Sequence, residues 1–132
     1  MPYVAIVTVV ALLQFLWFGV EVGRARARYN IAAPAITGNE IFERHFRVHM
    51  NTLEQLALFL PVLWIFASFV SPIWAAVLGA VYVIGRFVYA RSYVRDPKSR
   101  SIGFGLSMLP NLLMLIGIAI WAVWALVKSP GG

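Results

Sequence analysis

The sequence predicts an all-α membrane protein, a bundle of four transmembrane helices. Hydrophobic residues make up 61% of the 132 residues and charged residues only 12%, and the mean hydropathy is +0.82. A water-soluble domain of this length could not bury so much apolar surface. The apolar residues form runs long enough to cross a bilayer as helices, without the short alternating segments that are typical of a β-barrel.

Four helices are predicted from these runs, at about residues 3–28, 40–70, 73–94 and 102–128. Pro34 lies in the loop after the first helix. Ser71-Pro72 separates the second helix from the third, because the residue before a proline is pushed out of the helical conformation. Asp96-Pro97 ends the third helix in the same way. We expect residues 1–132 to form a single domain.

The basic residues predict how the helices are oriented in the membrane. Ten of the eleven Lys and Arg residues lie in or beside residues 24–47 and 86–100. With four spans, both segments emerge on one face of the membrane. The positive-inside rule places that face in the cytoplasm and both termini on the opposite side, in an arrangement suited to a bacterial inner membrane. The net charge of +6 therefore reflects topology and does not indicate a nucleic-acid partner.

Two polar stripes interrupt the apolar helices and point to a binding site. Their residues recur three or four positions apart, so that each stripe occupies one helical face. Charged groups within membrane spans are costly and tend to mark functional sites. The stripe on the second helix consists of Arg47, Asn51 and Glu54. The stripe on the third helix consists of Tyr82, Arg86, Tyr89 and Tyr93.

The two stripes are predicted to meet at one depth. Glu54 lies 17 residues before Ser71, and Tyr89 lies 17 residues after Pro72. At about 1.5 Å per residue, both lie roughly 25 Å from the turn between the helices. The tight turn makes the helices antiparallel neighbours, so the stripes are expected to face each other near the cytoplasmic boundary.

The charge of this predicted site favours a small anionic ligand. Two embedded arginines, Arg47 and Arg86, and the adjacent Arg100 outnumber the single carboxylate of Glu54. Such a ligand would bear carboxylates and an amine, the amine meeting Glu54. The alternative is a structural ion pair between Arg86 and Glu54, with the tyrosines in an interfacial belt. With no cysteines and two histidines, the chain lacks the ligands for a metal site.

At these residues the chain resembles the MAPEG family, the membrane-associated proteins in eicosanoid and glutathione metabolism. Residues 37–54 look like the family signature, in which Glu-Arg precedes an Arg, Asn and Glu core. Residues 81–86, followed by Tyr89, Tyr93 and Arg100, are similar to the third helix of its microsomal glutathione transferase members. The resemblance covers nearly the whole chain.

The resemblance implies a homotrimer that binds glutathione as co-substrate between subunits, with no metal. Arg100 matches the catalytic arginine that stabilises the glutathione thiolate. The implied activity is conjugation of glutathione to lipophilic electrophiles from the bilayer, with lipid hydroperoxides as a second class of acceptor. The expected glutathione-binding residues are Arg47, Asn51, Glu54, Arg86, Tyr89 and Tyr93, with Arg26 and His49 contributed by the neighbouring subunit.

Two other functions stay open at this stage. One is a non-catalytic lipid-binding or glutathione-binding scaffold of the same fold, although the chain keeps both the binding set and Arg100. The other is a small transporter or channel. The polar positions cluster at one end of the helices, which disfavours a path through the membrane.

Overall fold

Four long helices make up most of the protein. A computed structural model describes residues 1–129, and residues 130–132 at the end of the predicted domain lie outside that part. All four helices are long and apolar enough to cross a membrane, which confirms the predicted all-helical class. They are α1 (Pro2–Tyr29), α2 (Glu40–Phe69), α3 (Pro72–Arg95) and α4 (Ser101–Lys128), with a short 3-10 helix at Pro97–Ser99.

Polar residues at the helix ends define where the chain turns. Asn30 ends α1 in the left-handed conformation, at φ 56° and ψ 47°, which Asn tolerates better than most residues. The side chain of Asn39 accepts hydrogen bonds from the backbone N–H groups of Ile41 and Phe42, at 2.9 and 3.0 Å. The Ser71 hydroxyl accepts one from the Trp74 N–H at 3.2 Å. These caps satisfy backbone donors that a helix start leaves free.

Helices α2 and α3 form the centre of the bundle. Each packs against all three other helices. In the most apolar 18-residue stretch of each, 39% is buried, against 17% in the corresponding stretches of α1 and α4. The rings of Phe59 on α2 and Tyr82 on α3 stack with their centroids 3.8 Å apart. The outer helices leave large apolar side chains exposed, as expected for surfaces that face lipid.

Helices α3 and α4 approach each other closely because two glycines leave room. A Cβ atom at Gly85 would lie 2.6 Å from the backbone of Leu106 and Ser107. A Cβ atom at Gly103 would overlap the backbone of Tyr89. No other residue type fits these contacts without moving one helix. The second contact fixes the start of α4 against Tyr89, one of the predicted site residues.

Candidate functional site

A cavity of about 450 Å³ lies where the ends of α2 and α3 meet the start of α4. Five of the nine predicted site residues contribute to its wall, so the structure brings residues from both polar stripes together with Arg100. It lies at the end of the bundle away from the turn at Ser71-Pro72. The lining residues are Arg47, Asn51, Tyr89, Tyr93, Arg100, Ser101, Phe104 and Gly105.

Each wall of the cavity follows from a local feature of the sequence. The four-residue spacing of Tyr89 and Tyr93 stacks their rings, with centroids 5.6 Å apart. Asp96 adopts an extended conformation, at φ −155° and ψ 108°, and ends α3. The short 3-10 helix that follows returns the chain, so that Arg100 and Phe104 form the wall on the α4 side.

The cavity is positively charged. Its eight described lining residues include two arginines and no carboxylate. Glu54 lies beside the wall, with its Oε1 atom 3.9 Å from the Nη1 atom of Arg47. Both side chains are more than half exposed, at 63% and 57%, so their mutual attraction is weak. Arg47 therefore stays available to an anionic ligand, and Glu54 offers a negative group at the edge.

Arg86 lies behind the wall and does not line the cavity. It is fully buried, and its Nη2 atom donates hydrogen bonds to Asn51 Oδ1 at 2.9 Å and Thr52 Oγ1 at 2.8 Å. Its guanidinium carbon lies 4.4 Å from the centre of the Tyr89 ring. One cation thus contacts two residues of the wall, on α2 and on α3. The alternative interpretation, an ion pair between Arg86 and Glu54, is wrong, because Glu54 lies against Arg47 instead.

Arg26 and His49 lie away from this cavity. The Nη1 atom of Arg26 donates to the Ala35 carbonyl at 2.7 Å, and its guanidinium lies over the Phe42 ring at 4.8 Å. The His49 ring stacks on Phe15 of α1, with centroids 4.6 Å apart. Both residues therefore occupy the side of the bundle where α1 meets α2. Within a single chain they do not meet the other predicted site residues.

Four residues of the site were not among the residues predicted from the sequence. Thr52 accepts from Arg86 and donates to the Val48 carbonyl at 2.7 Å. Ser101, Phe104 and Gly105 line the wall on α4. Phe104 follows Arg100 by one helical turn, a spacing that would have placed the two on one face. Thr52 carried no comparable signal, because it lies one position away from the polar stripe of α2.

The arrangement is suited to holding an anion by several directional contacts. Guanidinium groups donate to carboxylates in a fixed fork, and tyrosine hydroxyls and an amide add orienting hydrogen bonds. Within residues 1–129, no three His, Cys, Asp or Glu side chains come together as a metal site. The chemistry that these residues offer is electrostatic stabilisation of a bound anion.

Comparisons with known proteins match most of the chain. A model of the MAPEG family matches residues 4–120. The chain is 46% identical over 122 residues to uncharacterized protein sll1147 of Synechocystis sp., across 92% of this chain and 89% of that protein. It is 37% identical over 119 residues to microsomal glutathione S-transferase 2 of Homo sapiens, across 87% and 81%. It is 34% identical over 96 residues to leukotriene C4 synthase of Bos taurus, across 73% and 64%.

The apolar helices and the site at their shared end define an integral, multi-pass membrane protein. The family match extends over all four helices and includes every residue of the cavity wall. The chain belongs to the MAPEG family, and the resemblance noted in the sequence is confirmed.

Proposed function

We propose that this protein is a membrane-bound glutathione transferase that activates glutathione as a thiolate and conjugates it to lipophilic electrophiles. One observation carries the proposal: two arginines, two tyrosines and an asparagine converge on one cavity with no carboxylate among its described lining residues. Glutathione carries two carboxylates, one amine and one thiol. Relatives named as a microsomal glutathione S-transferase and a leukotriene C4 synthase support glutathione as the ligand.

The residues that would bind glutathione are assigned from their charge and position. Arg47 would hold a glutathione carboxylate, and Glu54 would meet the amine, because the two side chains lie 3.9 Å apart at one edge of the site. Asn51, Tyr89 and Tyr93 would donate hydrogen bonds to the peptide. Arg86 would act as a positioning residue, because it holds the Asn51 side chain from behind the wall.

Arg100 would be the catalytic residue. A free thiol has a pKa of about 8.5 and is mostly protonated at neutral pH, whereas the thiolate is the nucleophile. A guanidinium beside the sulfur lowers the thiol pKa, because the positive charge stabilises the anion and Arg itself stays protonated. The thiol proton leaves to water. The thiolate then forms a bond to the electrophilic carbon, and the leaving group departs with its electron pair.

Lipid hydroperoxides would be a second class of acceptor at the same site. The thiolate attacks the terminal peroxide oxygen to form the sulfenic acid, the O–O bond breaks, and the departing alkoxide takes a proton from water to leave as the alcohol. A second glutathione then displaces water from the sulfenic acid to give the disulfide. The site needs no protein nucleophile for either reaction, and the chain contains no cysteine.

We propose that the protein acts as a homotrimer and as a single domain. Arg26 and His49 lie on the α1–α2 side of the subunit, whereas the cavity lies among α2, α3 and α4. A neighbouring subunit packed against the cavity would bring its own Arg26 and His49 to the bound glutathione. The clustered basic residues support a cytoplasmic site in a bacterial inner membrane, with both termini on the other side.

The test is turnover of a chlorinated dinitrobenzene with glutathione by the purified protein in detergent. We expect ultraviolet absorbance of the thiolate when glutathione binds. In Arg100→Ala this absorbance should disappear and kcat/KM should fall about 100-fold. The matched control is Lys98→Ala, which removes an exposed cation two residues away and should change neither.

The same assay separates the alternatives. Unchanged turnover in Arg100→Ala would reject the thiolate mechanism. Glutathione binding by calorimetry with no turnover of chlorinated, epoxide or hydroperoxide acceptors would establish the non-catalytic scaffold. Ion or solute flux in liposomes without glutathione binding would establish the transporter.

A further inference from the structure

A second cavity, of about 340 Å³, lies on another side of the bundle, among α1, α2 and α3. It shares no lining residue with the cavity assigned to glutathione. We call it the α1–α3 groove. Its chemistry is mixed. It is lined by three aromatic rings, those of Trp17, Phe18 and Phe87, and by one carboxylate, one imidazole and two guanidinium groups: Glu21, His45, Arg91 and Arg95.

The register of α1 against α3 orders these side chains by depth. The two helices run in the same direction, and the Gln14 Nε2 atom donates to the Val83 carbonyl at 2.9 Å. Trp17 and Phe87 follow that contact by three and four residues, or about 5 to 6 Å along the axes. Glu21 and Arg91 follow it by seven and eight residues, or about 10 to 12 Å. Arg95 lies one turn further on.

Aromatic side chains followed by charged ones are arranged as at the boundary between a bilayer and water. Trp17 and Phe87 are half exposed, at 48% and 50%, and lie on the side toward the membrane interior. The charged groups follow on the side toward the end of the bundle where the basic residues cluster. Amphipathic aromatic residues and then basic residues recur at this boundary in membrane proteins. A molecule seated in the groove would thus have an apolar part beside the rings and a polar part beside the charges.

The charged groups of the groove are available to a ligand. Arg91 and Arg95 are exposed, and within residues 1–129 the ion pairs to carboxylates involve other basic residues. Arg44 donates to the Val94 carbonyl at 3.0 Å, which holds the end of α3 against α2. Across the groove, the Glu21 Oε2 atom lies 3.8 Å from His45 Nδ1, and the Glu21 side chain is 30% exposed.

We infer that the α1–α3 groove binds a phospholipid whose headgroup carries a primary amine. The phosphate would lie against Arg91 and Arg95, as guanidinium groups bind phosphate through paired N–H donors. The ammonium group would donate to the Glu21 carboxylate, and the acyl chains would lie along Trp17 and Phe87. A purely anionic headgroup would meet repulsion from Glu21. A trimethylammonium headgroup has no N–H to donate.

The test is lipid retention by the full-length protein, measured by native mass spectrometry. Delipidated protein is incubated with phosphatidylethanolamine, phosphatidylglycerol or phosphatidylcholine that carry identical acyl chains. We expect the wild type to retain phosphatidylethanolamine about tenfold more tightly than the other two. The double variant Arg91→Gln, Arg95→Gln should lose this retention, and Lys98→Gln, which removes an exposed charge outside the groove, should not.

The variant Glu21→Gln gives the more discriminating test, because it should bind phosphatidylglycerol more tightly than the wild type does. Without the carboxylate, retention of phosphatidylglycerol should rise while that of phosphatidylethanolamine falls, which misfolding cannot produce. Equal retention of the three lipids by the wild type would overturn the proposal. An unchanged ratio in Glu21→Gln, or full retention in the double arginine variant, would also overturn it.

Discussion

The Nη2 atom of Arg86 lies 2.9 Å from Oδ1 of Asn51, which joins a fully buried cation on α3 to the cavity wall on α2. The same Arg86 atom is 2.8 Å from the Thr52 hydroxyl. Because the Asn51 oxygen accepts from Arg86, the amide N–H groups of Asn51 stay free to donate into the cavity. A residue outside the cavity thus determines which hydrogen-bonding groups the cavity presents.

Replacing Thr52 with Val should destabilise the protein. Val has nearly the same shape, but it removes one of the two acceptors that the Nη2 group of the buried Arg86 contacts. We expect the free energy of unfolding to fall by about 2 kcal/mol, as for a buried charged group that loses a hydrogen-bond partner. Thr37→Val, in the exposed loop before α2, is the matched control and should change it by less than about 0.5 kcal/mol. Equal thermal midpoints for the two variants in detergent would contradict the role of Thr52.

Replacing Asn51 with Asp should abolish glutathione binding and leave the fold intact. The new carboxylate would pair with Arg86 at the present 2.9 Å contact, so we expect no loss of thermal stability. It would also replace amide donors with a negative charge that repels the glutathione carboxylates. Calorimetry should show at least about 100-fold weaker binding, equivalent to about 2.7 kcal/mol.

Asn30→Asp is the control for that substitution. It introduces the same charge change at the exposed end of α1, away from the cavity, and should bind glutathione like the wild type. Tight glutathione binding by Asn51→Asp would show that Asn51 does not donate to the ligand.

Replacing Glu54 with Gln should weaken glutathione binding, and only by removing the contact with the glutathione amine. We expect about tenfold weaker binding of glutathione, because the variant loses the charge that would meet the ammonium group. A glutathione analogue without the amino group should bind the variant at least as well as it binds the wild type. Calorimetry with both ligands measures the coupling between Glu54 and the amine.

Glu40→Gln is the matched control for that comparison. Glu40 also pairs with an arginine on α2, at 3.1 Å from Arg44, and its side chain is 83% exposed. Its removal should leave the affinities for both ligands unchanged. Equal losses for glutathione and for the analogue in Glu54→Gln would exclude a contact between Glu54 and the amine.

Replacing Gly103 with Ala should separate α4 from α3 and distort the cavity. The added methyl group would overlap the backbone of Tyr89, which cannot move without displacing its helix. We expect a loss of more than about 2 kcal/mol of stability, together with weaker glutathione binding. The measurement is thermal unfolding in detergent with and without glutathione.

Gly23→Ala, in α1 and outside the cavity wall, provides the control. A Cβ atom there meets nothing within 4 Å, and alanine favours a helix by up to about 1 kcal/mol over glycine. Its stability should equal or exceed that of the wild type. If both alanine variants behaved alike, the close contact between Gly103 and Tyr89 would have no role in holding the cavity together.

The sequence predicted the class of fold because its signals are local. The length of each apolar run gives a span, and Ser71-Pro72 and Asp96-Pro97 interrupt the helices wherever they pack. The spacing of Arg47 and Asn51 places both on one face of α2 whatever that face contacts. The cavity on the ends of α2 and α3 could therefore be anticipated from residue counts, and the structure lines it with both residues.

The rotation of each helix about its axis could not be anticipated in the same way. Spacing puts Arg86 and Tyr89 on one face of α3, yet Tyr89 lines the cavity and Arg86 lies behind it, against Asn51 and Thr52. The partner of Glu54 also depends on this rotation. Successive side chains are about 100° apart around a helix, so a rotation by a fraction of a turn exchanges one neighbour for another, and such pairings follow only from packing across the bundle.

The sequence by itself determined that the chain spans the membrane with four helices and that its basic residues gather at one end, because hydropathy and charge are properties of each residue. The tertiary structure decided which of those polar groups share a cavity and which support it from behind. It also decided how closely α4 approaches α3 at Gly103. These outcomes depend on contacts between residues far apart in the chain, which close packing of the whole bundle sets together.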